Sequence, residues 1–264
     1  MAVVKYYDKK NKRLICAGES SPEFWDRQWE LDEFKKKVQN LGAKDSFVTK
    51  YTKKYLKPGS KILEGGCGIG HYVCALERLG YEAYGIDYAK NTVDKINTYF
   101  PDLKIYYQDV KRINFSDNFF DGYWSLGVIE HFWEGFGDVA DEMKRVIRPG
   151  GFLFITFPQM NQLRKIKARL GIYQEYNSEN FSQDLFYQYM LDEKKVTEIF
   201  GGMGFELISK TSLDAVRGMR DELRLPDLFY SSNNFFVRVI RYGVNKIFNF
   251  FSGHIVLLIL KNNK

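Results

Sequence analysis

Sulfur is scarce in this 264-residue chain. Cys16, Cys67 and Cys74 are odd in number and form no C-x-x-C pair, so neither a disulfide framework nor a zinc knuckle can be drawn, and a reducing cytoplasm suits such usage. Long apolar runs are missing as well: the longest uninterrupted one, Ile255 to Leu260, is far below the ~20 residues of a membrane-spanning helix. The opening Met1-Ala2-Val3-Val4-Lys5-Tyr6-Tyr7 lacks the apolar core of a signal peptide, so a soluble, unprocessed chain is expected. Neither sign of charge dominates. Lys and Arg number 39 against 33 Asp and Glu, a net +6, and the acids are interleaved with the bases instead of leaving a basic stripe. Nucleic acid is therefore not an expected partner. Internal repeats and low-complexity tracts are absent, and histidine is limited to His71, His131 and His254.

What is present is ordinary in bulk and unusual in one respect. Hydrophobic residues are 45% and charged residues 27%, which excludes wholesale disorder and leaves enough apolar surface for a sizeable core. Aromatic residues reach 17%, with 18 Tyr and 22 Phe, pointing to a large core or a pocket walled by rings. The length fits a single decorated α/β domain.

Residues 1–55 read as a helical lead-in or cap, with Ser21 as N-cap and Pro22 at the first helical position. From 56 to 264 short apolar strands alternate with helical patterns. Lys61-Ile62-Leu63, Tyr81 to Asp87, Leu103 to Tyr107, Phe120 to Leu126 and Phe152 to Phe157 read as strands, with helices over about 71–79, 92–100 and 139–147. Such alternation implies βαβ units and a doubly wound, mostly parallel sheet with right-handed crossovers. Insertions are expected at about 159–190 and 212–252, before a final strand from His254 to Leu260.

The sharpest chemical signal is Glu64-Gly65-Gly66-Cys67-Gly68-Ile69-Gly70, placed between a strand and a helix. Glycines there let the backbone turn tightly and approach a ligand, and the following helix offers free N–H groups. The spacing departs from the dinucleotide fingerprint G-x-G-x-x-G, because the position after Gly66 and Gly68 that should be glycine is His71. Asp87 ends the second strand, where a carboxylate can accept bonds from ribose hydroxyls, and Tyr88 follows it. Gln108-Asp109-Val110 ends the third strand on the same edge, although a loop aspartate is also a common N-cap.

These motifs, together with Phe120-Asp121-Gly122-Tyr123, Ser125-Leu126-Gly127-Val128-Ile129-Glu130-His131 and Arg148-Pro149-Gly150-Gly151, make residues 55–160 resemble the class I S-adenosylmethionine-dependent methyltransferases. The resemblance implies a Rossmann-like α/β fold of seven strands with the last antiparallel, helical lid insertions, and S-adenosylmethionine as methyl donor. It assigns Glu64, Gly65, Gly66, Cys67, Gly68, Gly70, Asp87, Tyr88, Gln108, Asp109, Val110, Ser125 and Leu126 to the cofactor. Methyl transfer from a sulfonium is an in-line displacement, so the protein must chiefly position the acceptor and exclude water. His131 is the candidate base where the acceptor must lose a proton, with a structural loop histidine as the competing reading.

No Asn/Asp-Pro-Pro-Tyr/Phe loop and no Pro-Cys nucleophile follows the fourth strand, which disfavours DNA-base methylation, and no carboxylate cluster for a metal can be placed. The expected substrate is a small-molecule acceptor methylated on oxygen or nitrogen, such as a sugar or lipid-linked intermediate of polysaccharide or secondary-metabolite synthesis. Trp25, His131, Phe186, Tyr187 and Tyr189 are the candidate substrate contacts, and Arg164, Lys165, Lys167 and Arg169 could meet an anionic group. Within 234–251, Phe236, Ile240, Val244, Ile247 and Phe251 recur at helical spacing, a stripe that usually packs into a core but also suits a peripheral membrane contact. Two other functions stay open on the sequence: a non-catalytic binding or regulatory subunit of the same fold, and a protein or RNA methyltransferase.

Overall fold

The computed structural model describes residues 4–19, 21, 24–25, 46–223 and 232–263. In chain order the elements are β1 (Lys5–Asp8), β2 (Arg13–Ala17), α1 (Phe47–Tyr55), β3 (Lys61–Gly65), α2 (His71–Glu77), β4 (Glu82–Asp87), α3 (Lys90–Tyr99), β5 (Lys104–Tyr107), β6 (Phe120–Leu126), α4 (Gly137–Val146), β7 (Ile147–Pro158), α5 (Gln162–Arg169), β8 (Gln174–Glu175), β9 (Phe186–Met190), α6 (Glu193–Gly202), β10 (Phe205–Leu213), α7 (Ala215–Leu223), α8 (Phe235–Ser252) and β11 (Ile255–Asn262). A one-turn 3-10 helix, Ile129–His131, follows β6.

Seven strands pair in the order β10-β11-β7-β6-β3-β4-β5. The pairs β7-β6, β6-β3, β3-β4 and β4-β5 are parallel, while β11 runs antiparallel to both β7 and β10. This is the α/β arrangement the sequence predicts. From β3 the chain winds outward through β4 to β5, then returns to β6 on the other side. That reversal leaves a crevice at the carboxyl ends of β3 and β6, where open α/β sheets bind ligands.

Alternation along the strands sends successive side chains to opposite faces. Leu63, Tyr123, Ile155 and Leu258 belong to one buried cluster, and Ile62, Trp124, Phe154 and Leu257 to the other. Trp124 stacks on Phe154 at 4.4 Å and donates its indole N–H to Thr52 Oγ1 at 3.0 Å, fastening α1 to the sheet. Truncating Phe154 to alanine would cost about 3–5 kcal/mol, because a ring packed on both sides leaves a cavity its neighbours cannot fill.

Two expectations need correction. The lead-in expected as helical over 1–55 begins with the β1–β2 hairpin, which joins β8 and β9 of the first insertion in a second sheet ordered β8-β1-β2-β9. The reason lies outside the lead-in: Leu14, Ile15 and Cys16 are buried on a strand that pairs with β9 of the insertion. Ser21 does cap, accepting from the Phe24 N–H at 3.1 Å, whereas Pro22 lies outside the described residues. The expected turn Arg148-Pro149-Gly150-Gly151 is absorbed into β7, which starts at Ile147 and slips register between Phe120 and Gly122. There the guanidinium of Arg148 donates to Asp121, whose other oxygen accepts from the Lys61 N–H at 2.7 Å, tying β7, β6 and β3 together.

Candidate active site

The loop after β3 is shaped so that side chains would not fit. A Cβ on Gly65 would stand 1.9 Å from the Tyr123 hydroxyl, one on Gly66 2.6 Å from Val128, and one on Gly70 2.1 Å from Ile105. Gly66, Gly68 and Gly70 all have positive φ, at 74°, 51° and 66°, a region closed to most other residues. The Gly66 and Cys67 N–H groups donate to the Ile86 carbonyl at 2.9 and 3.0 Å, which binds the loop to the end of β4.

Asp87 completes that loop. Its carboxylate accepts from the Gly68 N–H at 2.7 Å and the Ala89 N–H at 2.9 Å, so it holds the glycine turn against the sheet edge. Beside it the Glu64 carboxyl is buried with Oε2 lacking a hydrogen-bond partner among the described residues, and in register next to Gly65 the buried Ser125 Oγ likewise has none among them. Burial, reinforced by the nearby Asp87 charge, pushes Glu64 well above the carboxylate range. Two orphaned polar atoms at the ends of β3 and β6 are what a polar ligand in the crevice would satisfy. The glycine cradle and these donors and acceptors fit the expected cofactor. Gln108 and Asp109 are less committed to it: Gln108 Oε1 accepts from the Asn114 N–H at 2.8 Å, and the exposed Asp109 caps its own loop through the Lys111 N–H at 2.9 Å. Val110 is buried, while Leu126 is half-buried and Tyr88 exposed.

Alongside the crevice lies a cavity of about 1130 Å³ whose lining includes Trp25, Gly127, Glu130, His131, Thr156 and Tyr187. His131 Nδ1 lies 2.7 Å from the Tyr187 carbonyl. A carbonyl can only accept, so the proton sits on Nδ1 and Nε2 keeps its lone pair. Burial lowers the His131 pKa, opposed by that hydrogen bond, so the ring is neutral at pH 7 and able to act as a base. Trp25 stands edge-on to His131 at 5.1 Å and lies over Tyr187, holding both rings. Three of the expected substrate contacts thus meet. The other two do not: Phe186 and Tyr189 are buried against Trp133, and the Tyr189 hydroxyl donates to the Trp133 carbonyl at 3.0 Å, so they support the wall from behind.

Sequence reasoning missed Glu130. It is buried, its Oε2 has no partner among the described residues, and burial pushes its pKa up to about 8, so it carries a proton at neutral pH. The adjacent His131 drew attention because histidine titrates near 7 by default, whereas a glutamate needs the tertiary environment to do so.

Also unforeseen is the ionic cluster that forms the far wall. Glu222 on α7 binds Lys5 of β1 at 2.6 Å, Arg164 and Lys167 of α5 at 3.0 and 2.7 Å, and the Tyr173 hydroxyl at 2.6 Å. Burial opposes its charge, but Lys5 and Arg164 outweigh that and hold its pKa at about 2. Arg164 also donates to His254 Nδ1 at 2.8 Å. Burial and then Arg164 drive His254 well below its ordinary pKa, so its 3.3 Å approach to Asp221 is not an ion pair. Of the four expected cations on α5, Arg164 and Lys167 are therefore engaged by Glu222, Lys165 pairs with Asp192, and only Arg169 is exposed.

A methyltransferase-domain family model matches residues 63–155, the stretch from β3 into β7. No curated protein matches the sequence. Among solved structures, an S-adenosylmethionine-dependent methyltransferase of Methanosarcina mazei is 15% identical with a TM-score of 0.55, over 80% of this chain and 96% of that one. A complex of the Haloferax volcanii Trm112 methyltransferase activator with a methyltransferase gives 14% and 0.56, over 94% and 100%. The [4+2]-cyclase SpnF gives 15% and 0.53, over 81% and 80%. Identities this low establish a shared fold, and the fold serves more than one chemistry.

Proposed function

We propose that this chain is a class I S-adenosylmethionine-dependent methyltransferase, a reading supported by its ordered motifs and the family match over residues 63–155, and that it methylates an oxygen or nitrogen of a small polar acceptor bound in the cavity beside His131. The observation that carries this reading is the continuity between the two halves. Gly127, Glu130 and His131 follow β6 directly from Ser125 and Leu126 at the crevice, and the same residues line the 1130 Å³ cavity.

When bound, S-adenosylmethionine supplies an activated sulfonium methyl group. The glycine turn and Asp87 would hold its amino-acid and ribose portions, with Glu64 and Ser125 offering the unsatisfied polar atoms noted above. Trp25 and Tyr187 wall the acceptor and exclude water. His131 accepts the acceptor's proton at Nε2, since Nδ1 is committed to Tyr187. The cationic members of the lining, Lys5, Lys167, Arg217 and Arg220, outnumber Asp221 and Glu222, which favours an acceptor with an acidic group such as a sugar phosphate or lipid-linked sugar.

A second reading, methylation of a macromolecule with a partner protein, is prompted by the Trm112 complex among the similar folds. One experiment separates the readings. The protein is titrated calorimetrically with S-adenosylhomocysteine, then incubated with labelled donor and fractionated host extract. Heat of binding with label in the metabolite and lipid fractions supports the proposal. Label confined to protein or RNA supports the second reading, and absence of binding by a folded sample overturns both.

A further inference from the structure

The second insertion ends in α8, a helix of 18 residues of which only Ser252 is buried. Its half-buried side is mixed, with Val237, Val244 and Phe251 beside polar residues. Asn245 Oδ1 accepts from the Val216 N–H at 3.1 Å, Asn249 Oδ1 accepts from the Ala215 N–H at 2.9 Å, and Arg241 donates to the Ser232 carbonyl. The two asparagines thereby satisfy amides that the first turn of α7 would otherwise leave bare.

The outward side is apolar. Phe236, Val239, Ile240, Gly243, Ile247 and Phe250 fall at three- and four-residue steps and form one stripe. Phe236 is 74% exposed, Ile247 64% and Phe250 75%, with Phe235 beside them at 69%. Isolated exposed apolar residues are unremarkable, but a continuous stripe of rings marks an interaction surface. Arg238, Arg241 and Lys246 are the charges of this helix, which has no Asp or Glu. The neighbouring α5, in contact with α8, exposes Ile166, Leu170 and Arg169 and likewise has no acid.

We propose that α8 lies flat on an anionic lipid surface, with its aromatic stripe in the headgroup boundary and the flanking Lys246 on lipid phosphates. The combination of bulky apolar residues, cations without acids and a length bound to the protein by its opposite side is that of an interfacial helix. No helix of the described residues is long and apolar enough to cross a membrane, so the contact is peripheral. Lys246 flanks the stripe, so its long side chain can reach the headgroups while its stem stays in the apolar layer. Charge chooses the occupant: a second copy would set cation against cation, whereas anionic lipid complements them.

The position matters for the acceptor. α8 is clamped to α7, and α7 contributes Arg217, Arg220, Asp221 and Glu222 to the cavity wall. A protein bound through α8 therefore holds the cavity beside the lipid surface, which assigns the acceptor to membrane-borne amphiphiles with a polar head. This assignment of acceptor rests on the methyl-transfer reading; the lipid contact does not.

The test is flotation of the full chain with phosphatidylcholine vesicles and with mixed phosphatidylcholine–phosphatidylglycerol vesicles. The expected result is binding to the mixed vesicles, loss of it in a Phe236→Asp/Ile247→Asp variant, and affinity about fivefold weaker when the flanking cation is removed in Lys246→Gln. Because these side chains are exposed, the variants should melt with the parent protein. Failure of the parent to float with mixed vesicles, or flotation indifferent to the double substitution, overturns the proposal. So does a dimer in sedimentation equilibrium that the same substitutions dissociate, which would assign the face to a second copy. Calorimetry with S-adenosylhomocysteine on the same variants is expected to be unchanged. Protein that floats but transfers no methyl group would refute the enzymatic reading and leave the lipid contact standing.

Discussion

Replacing Glu222 with glutamine tests whether one carboxylate holds the three variable segments together. In the native chain it is surrounded by Lys5, Arg164 and Lys167, and its side chain has no exposure. Its folded pKa of about 2 against a reference of 4.5 corresponds to roughly 3 kcal/mol favouring the native state at neutral pH. Glutamine keeps the shape but removes the charge, leaving the buried Arg164 without its carboxylate, so the loss should be about 3–5 kcal/mol. The sign of the pH dependence follows from the lowered pKa. The stabilisation is complete above 4.5, about half of it is gone near pH 3, and it vanishes as pH falls through 2. Urea unfolding of parent and variant at neutral and acid pH measures this gap directly. A variant within about 0.5 kcal/mol of the parent, or a gap that stays constant between pH 7 and about pH 3, would refute the reasoning. The variant should also lose acceptor turnover while binding S-adenosylhomocysteine normally, because the cluster borders the cavity and not the glycine loop.

The other predictions concern the crevice and the base. His131→Ala is expected to leave cofactor affinity intact and lower kcat by about 10²–10⁴, read by steady-state kinetics. In the parent enzyme burial keeps His131 neutral below its ordinary 6.5, so turnover should hold as pH falls to that value and decline only at lower pH; a midpoint above 6.5 would argue against it. Glu130→Gln should raise stability by about 2–3 kcal/mol at pH 7, since burial lifts the carboxyl to about 8 and the native state disfavours the ionised form that the unfolded chain adopts above 4.5. That gain should disappear near pH 4, where both states are protonated, as thermal melts across pH would reveal. Gly68→Val adds a β-branched side chain at a φ of 51° and removes the close backbone approach, so calorimetry should detect no S-adenosylhomocysteine binding by a folded sample.

The sheet was legible in the sequence because each strand carries its own signal. Buried strands such as β7 read as continuous apolar runs, and Gly80 and Pro101 punctuate the elements between them. The glycine loop and Asp87 were legible because their chemistry is local: the Gly66, Cys67 and Gly68 N–H groups all donate to the adjacent end of β4. His131 was legible for the same reason, lying next to a recognisable strand. Its neighbour Glu130 was not, since a carboxylate becomes a proton carrier at neutral pH only through complete desolvation, and desolvation is a property of the surrounding fold.

The aromatic excess illustrates the same division. Composition predicted either a large core or ringed walls, and both occur: Trp124 on Phe154 inside the sheet, Trp25 on Tyr187 at the cavity. A third use, the outward rings of α8, could not be told from core packing by periodicity, which defines a stripe but not the direction it faces. Asn245 and Asn249 decide that by bonding to α7. The far cavity wall was equally hidden, because Lys5, Arg164 and Glu222 are brought together from opposite ends of the chain. The amino-acid sequence alone determined the parallel sheet, the glycine turn and the resemblance to methyltransferases, each encoded within a few neighbouring residues. Tertiary structure alone decided which carboxyl keeps its proton, which segments enclose the cavity and which face of α8 meets its surroundings, because burial and long-range charge pairing exist only once the chain has folded.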